Sequence, residues 1–250
     1  ETGIGCLITG TGITTPTYVI ALGTGTGGTG TYILSQSWSV SGALSSSGAF
    51  TTIATSDGPF QGGYALATND NYMLYNLPNS QQFGATNALS TASAQLSFAS
   101  KFTGSDNLVT LISNQRVIYL LGEVTSECWM DTGSFPFPYS VIPGSTAQHG
   151  CASGTSVARL GDSFAFVGRD TKGQGLILMA EGYGYKRISN HSVEFSIEDK
   201  YIADAVGWSY QMGGHEFYVV TFPTLDITWV YNLTTDMWHK WLSMDSNGIL

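Results

Sequence analysis

The sequence predicts an all-β protein whose main part is a β-propeller of four-stranded antiparallel blades. Three observations carry that prediction. Charged residues make up only 11% of the chain while Gly supplies 31 of its 250 residues, a balance that suits turns and uncharged strands and excludes a helical bundle. Short apolar runs closed by turn dipeptides fill the chain from Gly62 onward. Those runs recur: Tyr64, Val109, Val157 and Val206 open first strands, Tyr72, Val117, Phe164 and Phe217 open second ones, and both series step by about 45 to 53 residues, the spacing of propeller blades.

Taken in order, residues 1–56 read as a small Gly/Thr/Ser-rich β module or insertion. Residues 2–56 contain no Asp, Glu, Lys or Arg. Short β-branched runs, Tyr18-Val-Ile20 and Tyr32-Ile-Leu34, are set among glycines that permit turn geometries other residues resist. The interleaved Tyr, Ile, Val and Trp38 favour strands over a flexible linker.

Residues 57–250 are assigned to the blades. One blade reads as Ser156 to Leu160, Ser163 to Gly168, Leu176 to Glu181 and Tyr185 to Ser189, with turns at Gly161-Asp162, Lys172-Gly173 and Gly182-Tyr-Gly184. The next reads as Ala205 to Gln211, Glu216 to Phe222, Ile227 to Asn232 and Met237 to Leu242, with turns at Met212-Gly-Gly214 and Pro223. A single helical turn is expected over Val193 to Asp199. A closed propeller needs about four to eight blades and this region supplies about four, so an incomplete segment of the ring is expected, cut at the C-terminus after the turn pair Asn247-Gly248.

Charge and cysteine usage narrow the function. With 9 basic and 18 acidic residues the net charge is -9, opposed to the counterion release that drives nucleic-acid binding. Cys6, Cys128 and Cys151 are too few and too widely spaced for a disulfide framework or a zinc quartet, and reduced buried thiols are expected. No run of apolar residues is long enough for a membrane helix, and no signal peptide is read.

The candidate chemistry is thin. Gly23, Gly25 and Gly28 satisfy G-x-G-x-x-G, but Thr31 to Val40 is strand-like where a phosphate cradle needs a helix. Gly161-Asp-Ser163 with Asp236-Met-Trp-His239 resembles the blocks of a Gly-Asp-Ser serine esterase, yet Ser163 opens a hairpin strand with no crossover helix between the blocks. His149, His191, His215 and His239 lack metal-site pairing, and His149 beside Cys151 reads as a loop histidine next to a buried thiol. Glu194, Glu198 and Asp199 read as a solvated helix face. Trp129, Trp208, Trp229, Trp238 and Trp241 are expected in blade cores; two or more exposed on one rim would instead make a carbohydrate- or receptor-binding platform. No catalytic, cofactor-binding or metal residue is assigned, and no cofactor is expected.

Beyond these patterns, an ordered series of strings carries a resemblance. Asp70-Asn-Tyr-Met-Leu-Tyr75, Phe98-Ala-Ser100, Asn107-Leu-Val109 and Arg116-Val-Ile-Tyr-Leu-Leu-Gly122 lead into Thr125-Ser-Glu-Cys-Trp129, Thr132-Gly133 and Phe135-Pro-Phe137. Gly150-Cys-Ala152, Ser156-Val157, Gly161-Asp-Ser163, Gly168-Arg-Asp170, Arg187-Ile-Ser189, Gly214-His-Glu-Phe-Tyr-Val-Val-Thr-Phe222 and Thr228-Trp-Val-Tyr-Asn232 follow, with Trp238 and Trp241. From Asp57 to Leu250 this order resembles the packaged-DNA stabilisation proteins of short-tailed bacteriophages, the tail hub or nozzle family. The resemblance implies a structural virion protein without enzymatic activity. It implies a homo-oligomeric ring, a hexamer in the family, with a portal-adaptor protein above and a tail needle, tailspike or fibre proteins as neighbours. It also implies double-stranded DNA enclosed without sequence-specific contacts, and a host envelope met only indirectly. A carbohydrate- or receptor-binding tail domain and a serine esterase are the alternatives.

Overall fold

The computed structural model describes residues 5–24, 30–40, 44–47, 62–90, 92, 94, 96–170 and 172–242. Asp57, Gly25, Gly28 and the Asn247-Gly248 pair lie outside them. The chain divides into two compact units, Glu1–Ala54 and Thr55–Leu250.

The first unit holds one antiparallel sheet of β1 (Leu7–Gly10), β2 (Thr17–Leu22), β3 (Tyr32–Leu34) and β4 (Leu44–Ser47), in the order β3-β2-β1-β4. Along β2, Thr17 and Val19 are buried while Tyr18 and Ile20 face solvent, the alternation of a sheet covered on one side. Cys6, Ile8 and Val19 form its core, with Ile13, Tyr32 and Leu34 packed against it. The Trp38 indole N–H donates to Thr17 Oγ1 at 2.7 Å.

The second unit is a succession of antiparallel sheets, each a meander. The first comprises β5 (Leu66–Asn69), β6 (Tyr72–Asn76), β7 (Gln82–Ala85) and β8 (Phe98–Ser100). Next come β9 (Leu108–Asn114), β10 (Val117–Gly122), β11 (Ser126–Asp131) and β12 (Tyr139–Val141). The third sheet contains β13 (Gly150–Cys151), β14 (Ala158–Leu160), β15 (Ser163–Arg169), β16 (Gly175–Glu181) and β17 (Gly184–Arg187). After helix α1 (His191–Ile197), the fourth contains β18 (Val206–Met212), β19 (His215–Phe222), β20 (Ile227–Asn232) and β21 (Met237–Trp241). This is a nearly all-β chain built of propeller blades.

Tight turns set the register. Asp70 and Asn71, Gln115 and Arg116, and Gly213 and Gly214 all take positive φ between the first and second strands of their sheets, as two-residue hairpins with right-handed strand twist require. Strands buried on both sides carry unbroken apolar runs, and β10 shows why. Ile118 and Leu120 pack toward the first sheet with Leu74, Phe83 and Trp129, whereas Tyr119 and Leu121 pack toward the third with Phe164, Phe166 and Leu178. The third and fourth sheets meet through Ala165, Val167 and Ile177 against Tyr218, Val220 and Phe222. Each such side chain contributes about 1.5–3 kcal/mol when fully buried.

Two details differ from the sequence reading. The first strand of the third blade is not one run from Ser156: β13 and β14 each pair with β15, separated by a 3-10 turn over Gly154–Ser156. The Ser156 hydroxyl, fully buried, donates to the Ser153 carbonyl at 2.6 Å and accepts from the Val167 N–H, holding the turn in place of ladder bonds. Helix α1 starts and ends two residues earlier than the expected span, because Asn190 caps it by accepting from the Val193 N–H at 3.0 Å.

Candidate functional site

Among the described residues, the sequence candidates for chemistry stand apart from one another. Gly23 ends a hairpin arm, its N–H donating to the Thr31 carbonyl, so the described flanks of the Gly-rich string are the paired strands β2 and β3. Ser163 opens β15 and its hydroxyl donates to the Ala180 carbonyl at 2.6 Å, while His239 pairs with Val230 in the last strand of the next sheet. Among the described residues no hydrogen bond joins Ser163 to His239, and no group of three His, Cys, Asp or Glu side chains gathers as a metal site. His149 Nδ1 is buried without a hydrogen-bond partner.

Cys6, Cys128 and Cys151 are buried, and burial pushes the Cys128 and Cys151 thiols up to about 12, far from a nucleophile's range. The acidic group on α1 is not simply solvated. Glu194 takes the Arg187 guanidinium and accepts from the Ser189 hydroxyl at 2.5 Å, tying the helix to the end of β17.

The tryptophans split. Trp129 is buried and Trp229 and Trp238 are partly buried, but Trp208 and Trp241 are 44% and 45% exposed on one face of the fourth sheet. They lie within strands rather than on a loop rim, and their rings meet edge to face at 62° with centroids 6.2 Å apart. Tyr210 and Phe217 stack beside them at 4.7 Å.

What the fold does bring together lies between the blades. First strands β5, β9 and β14 border a cavity of about 760 Å³, with Thr68, Thr110, Ser113 and Thr155 among its lining residues. Arg159 is its charged lining residue, and the guanidinium is already engaged, donating to the Ser113 carbonyl at 2.6 Å.

Each blade interface carries a tyrosine hydroxyl that crosses to the neighbour's backbone. Tyr139 donates to the Asn69 carbonyl at 3.1 Å, Tyr119 to the Gly182 carbonyl at 2.8 Å, and Tyr218 to the Ser156 carbonyl at 2.7 Å. Burial raises all three pKa values, Tyr119 to about 12, so these hydroxyls stay donors at any physiological pH. The Trp238 indole adds a bond to the Ile188 carbonyl at 2.7 Å.

A dense polar cluster joins the first two blades. Lys101, 2% exposed, donates from Nζ to the Thr103 carbonyl at 2.5 Å, Asp106 Oδ1 at 2.6 Å and Thr125 Oγ1 at 2.5 Å. Desolvation opposes ionisation of Asp106, but Lys101, the N–H groups of Val124 and Thr125 and the Thr125 hydroxyl outweigh it and hold the carboxyl at about 2. Glu127, fully buried, accepts from the N–H groups of Phe102 and Thr103, each at 2.9 Å, and from the Trp129 indole at 2.8 Å. Sequence reasoning missed this clasp and the tyrosine crossings, since both join residues from different blades.

These are features of a stacked, mechanically joined array. Comparison with curated proteins gave no match. A family model described as Bacteriophage P22 Gp10, beta-propeller, matches residues 36–247. The match begins within the first unit, upstream of Asp57, so the family pattern reaches further toward the N-terminus than the resemblance read from the sequence. The family is a component of the phage virion tail. With consecutive antiparallel sheets of four or five strands and a match over most of its length, the chain belongs to the phage-stabilisation family of Bacteriophage P22 Gp10, the β-propeller, DNA-stabilising proteins of the phage tail.

Proposed function

We propose that this chain is a tail hub or nozzle subunit: it assembles as a homo-oligomeric ring below the portal and adaptor, holds the packaged genome in place, and later forms part of its exit conduit. The family match over residues 36–247 carries this reading. The net charge of -9 supports free passage, because an acidic wall repels phosphates where a basic one would grip them. Retention is then physical closure rather than sequence contact. No catalytic step, cofactor or metal belongs to this role, in keeping with Ser163 and His239 standing in different sheets.

The test is a complementation. DNA-filled capsids assembled without this protein should leak their DNA to nuclease, and adding the full-length chain should restore protection, with rings visible beneath the portal by electron microscopy. Unchanged leakage, or a continuous Lys/Arg-lined bore in the assembled ring, would overturn the proposal.

The exposure of Trp208 and Trp241 favours a second reading, a carbohydrate- or receptor-binding tail domain. Their edge-to-face geometry offers no flat platform to a sugar ring. Glycan binding abolished by Trp208→Ala and Trp241→Ala would establish it; binding that survives both changes would dismiss it.

A further inference from the structure

In an antiparallel meander the first-to-second and third-to-fourth connections fall at the same end of every blade. Inter-blade bonds show that these ends coincide from blade to blade. Arg116 pairs with Asp70 at 3.0 Å, and Asn114 Nδ2 and Gln115 Nε2 donate to the Asp162 carbonyl at 3.0 and 3.2 Å. At this end the outer loops of the first three blades present large apolar side chains: Leu89 is 84% and Leu96 65% exposed in the first, Phe135 94% in the second and Tyr183 50% in the third.

Their backbones are pinned while their side chains stand free. Leu89 sits at φ 55°, a left-handed conformation that costs a non-glycine residue roughly 1 kcal/mol, and its N–H donates to the Asn71 carbonyl of the inner turn at 2.8 Å. Beneath Phe135, the Thr132 N–H donates to the Pro138 carbonyl at 2.7 Å, Gly133 N–H to Asp131 Oδ1 at 2.8 Å, and Phe137 packs edge-on against Phe83. The turn bearing Tyr183 is held by the Tyr119 hydroxyl on the Gly182 carbonyl. A strained backbone and a solvent-exposed apolar side chain both cost stability, and pinned tips lose little entropy on binding.

The charge around them selects the partner. Asp70, Asp131, Asp162, Glu181, Glu216 and Asp236 lie at this end against the cations Arg116 and Arg159. An anionic bilayer would be repelled, and so would the same face of a second copy. Building on the tail assignment above, we infer that this end is a protein docking surface, with Phe135, Leu89 and Tyr183 as its anchors. Its occupant is a different virion protein whose contacting face holds apolar sockets within a Lys/Arg-rich rim.

The experiment uses virions carrying the full-length chain with the photoreactive residue p-benzoylphenylalanine in place of Phe135. Irradiation is expected to join this position to a different virion protein, at a peptide that mass spectrometry places in a basic surface; the same probe in place of Tyr201, exposed at the opposite end, should not give that product. Leu89→Asp with Phe135→Asp should lower the copies per virion at least tenfold without shifting thermal unfolding of the purified chain, whereas Tyr201→Asp should not lower them. A probe at 135 joined only to copies of this chain, or to nothing, overturns the inference while leaving the tail assignment standing. So does Phe135-dependent binding to phosphatidylserine vesicles. Absence of the chain from purified virions overturns the tail assignment and this inference with it.

Discussion

Asp106→Asn is the most informative single change, because it removes one charge and almost no volume. Lys101, with its side chain wholly buried, then keeps an ammonium with no carboxylate beside it, and the new amide must turn an N–H₂ toward either Lys101 or the N–H groups of Val124 and Thr125. Breaking a buried pair from one side costs about 3–5 kcal/mol. With a urea m-value of about 2 kcal/mol/M, the midpoint should fall by about 1.5 M or more. Lys101→Met should cost less, about 1–3 kcal/mol, since Asp106 keeps its backbone donors. The double variant should be less destabilised than the sum, with a coupling of at least about 1.5 kcal/mol. Urea unfolding followed by tryptophan fluorescence measures all three. The carboxyl near 2 adds a pH signature: its contribution is complete above the ordinary carboxylate value of about 4 and is lost as pH falls through about 2, so the wild type should lose stability across that window and Asp106→Asn should lose less. An Asp106→Asn midpoint within about 0.3 M of wild type, or strictly additive variants, would refute the clasp.

Three further outcomes are expected. Gly150→Ala places a Cβ 2.1 Å from the Glu123 carbonyl oxygen, backbone against backbone between blades, and should destabilise by about 3 kcal/mol or more in the same urea assay. Tyr218→Phe leaves the buried Ser156 carbonyl without its donor and should cost about 1–2 kcal/mol. Cys128 and Cys151, held near 12 by burial, should resist a thiol reagent at pH 8 in the folded chain and react once urea unfolds it; reaction of either in native buffer would show that the blades do not close over them.

Local signals were readable in the sequence. The hairpin at Met212-Gly-Gly214 and the run after it need only neighbours in the chain, and β19 falls within one residue of its expected start. The run from Val117 to Leu121 is apolar on successive positions because both faces of its sheet are covered. Non-local features were not readable. Lys101 counts as one of nine cations in the composition, and nothing near it marks it as buried; its partners Asp106 and Thr125 arrive only when the second blade docks. The break between β13 and β14 depends on hydroxyls of Ser153 and Thr155 reaching the Ala205 carbonyl, some fifty residues downstream, each at 2.7 Å. Leu89 and Phe135 read as ordinary apolar residues until the loop bases are seen pinned beneath them.

Where the buried polar groups point bears on what the molecule is for. In an enzyme such groups converge on a cleft, because desolvated dipoles act on a reacting atom. Here they diverge. Tyr139, Tyr119, Tyr218 and Trp238 each end on a backbone carbonyl of an adjoining blade or of the strand leading to the next, spreading directional bonds along the stack rather than focusing them. An apolar interface resists separation but slides; a hydrogen bond from a ring held in that interface fixes the register, because any slip leaves a buried carbonyl unpaired at a cost of about 1–3 kcal/mol. One such bond at every junction makes shear between blades costly wherever it is applied. It accounts for tyrosines standing where a purely apolar side chain would have filled the same space.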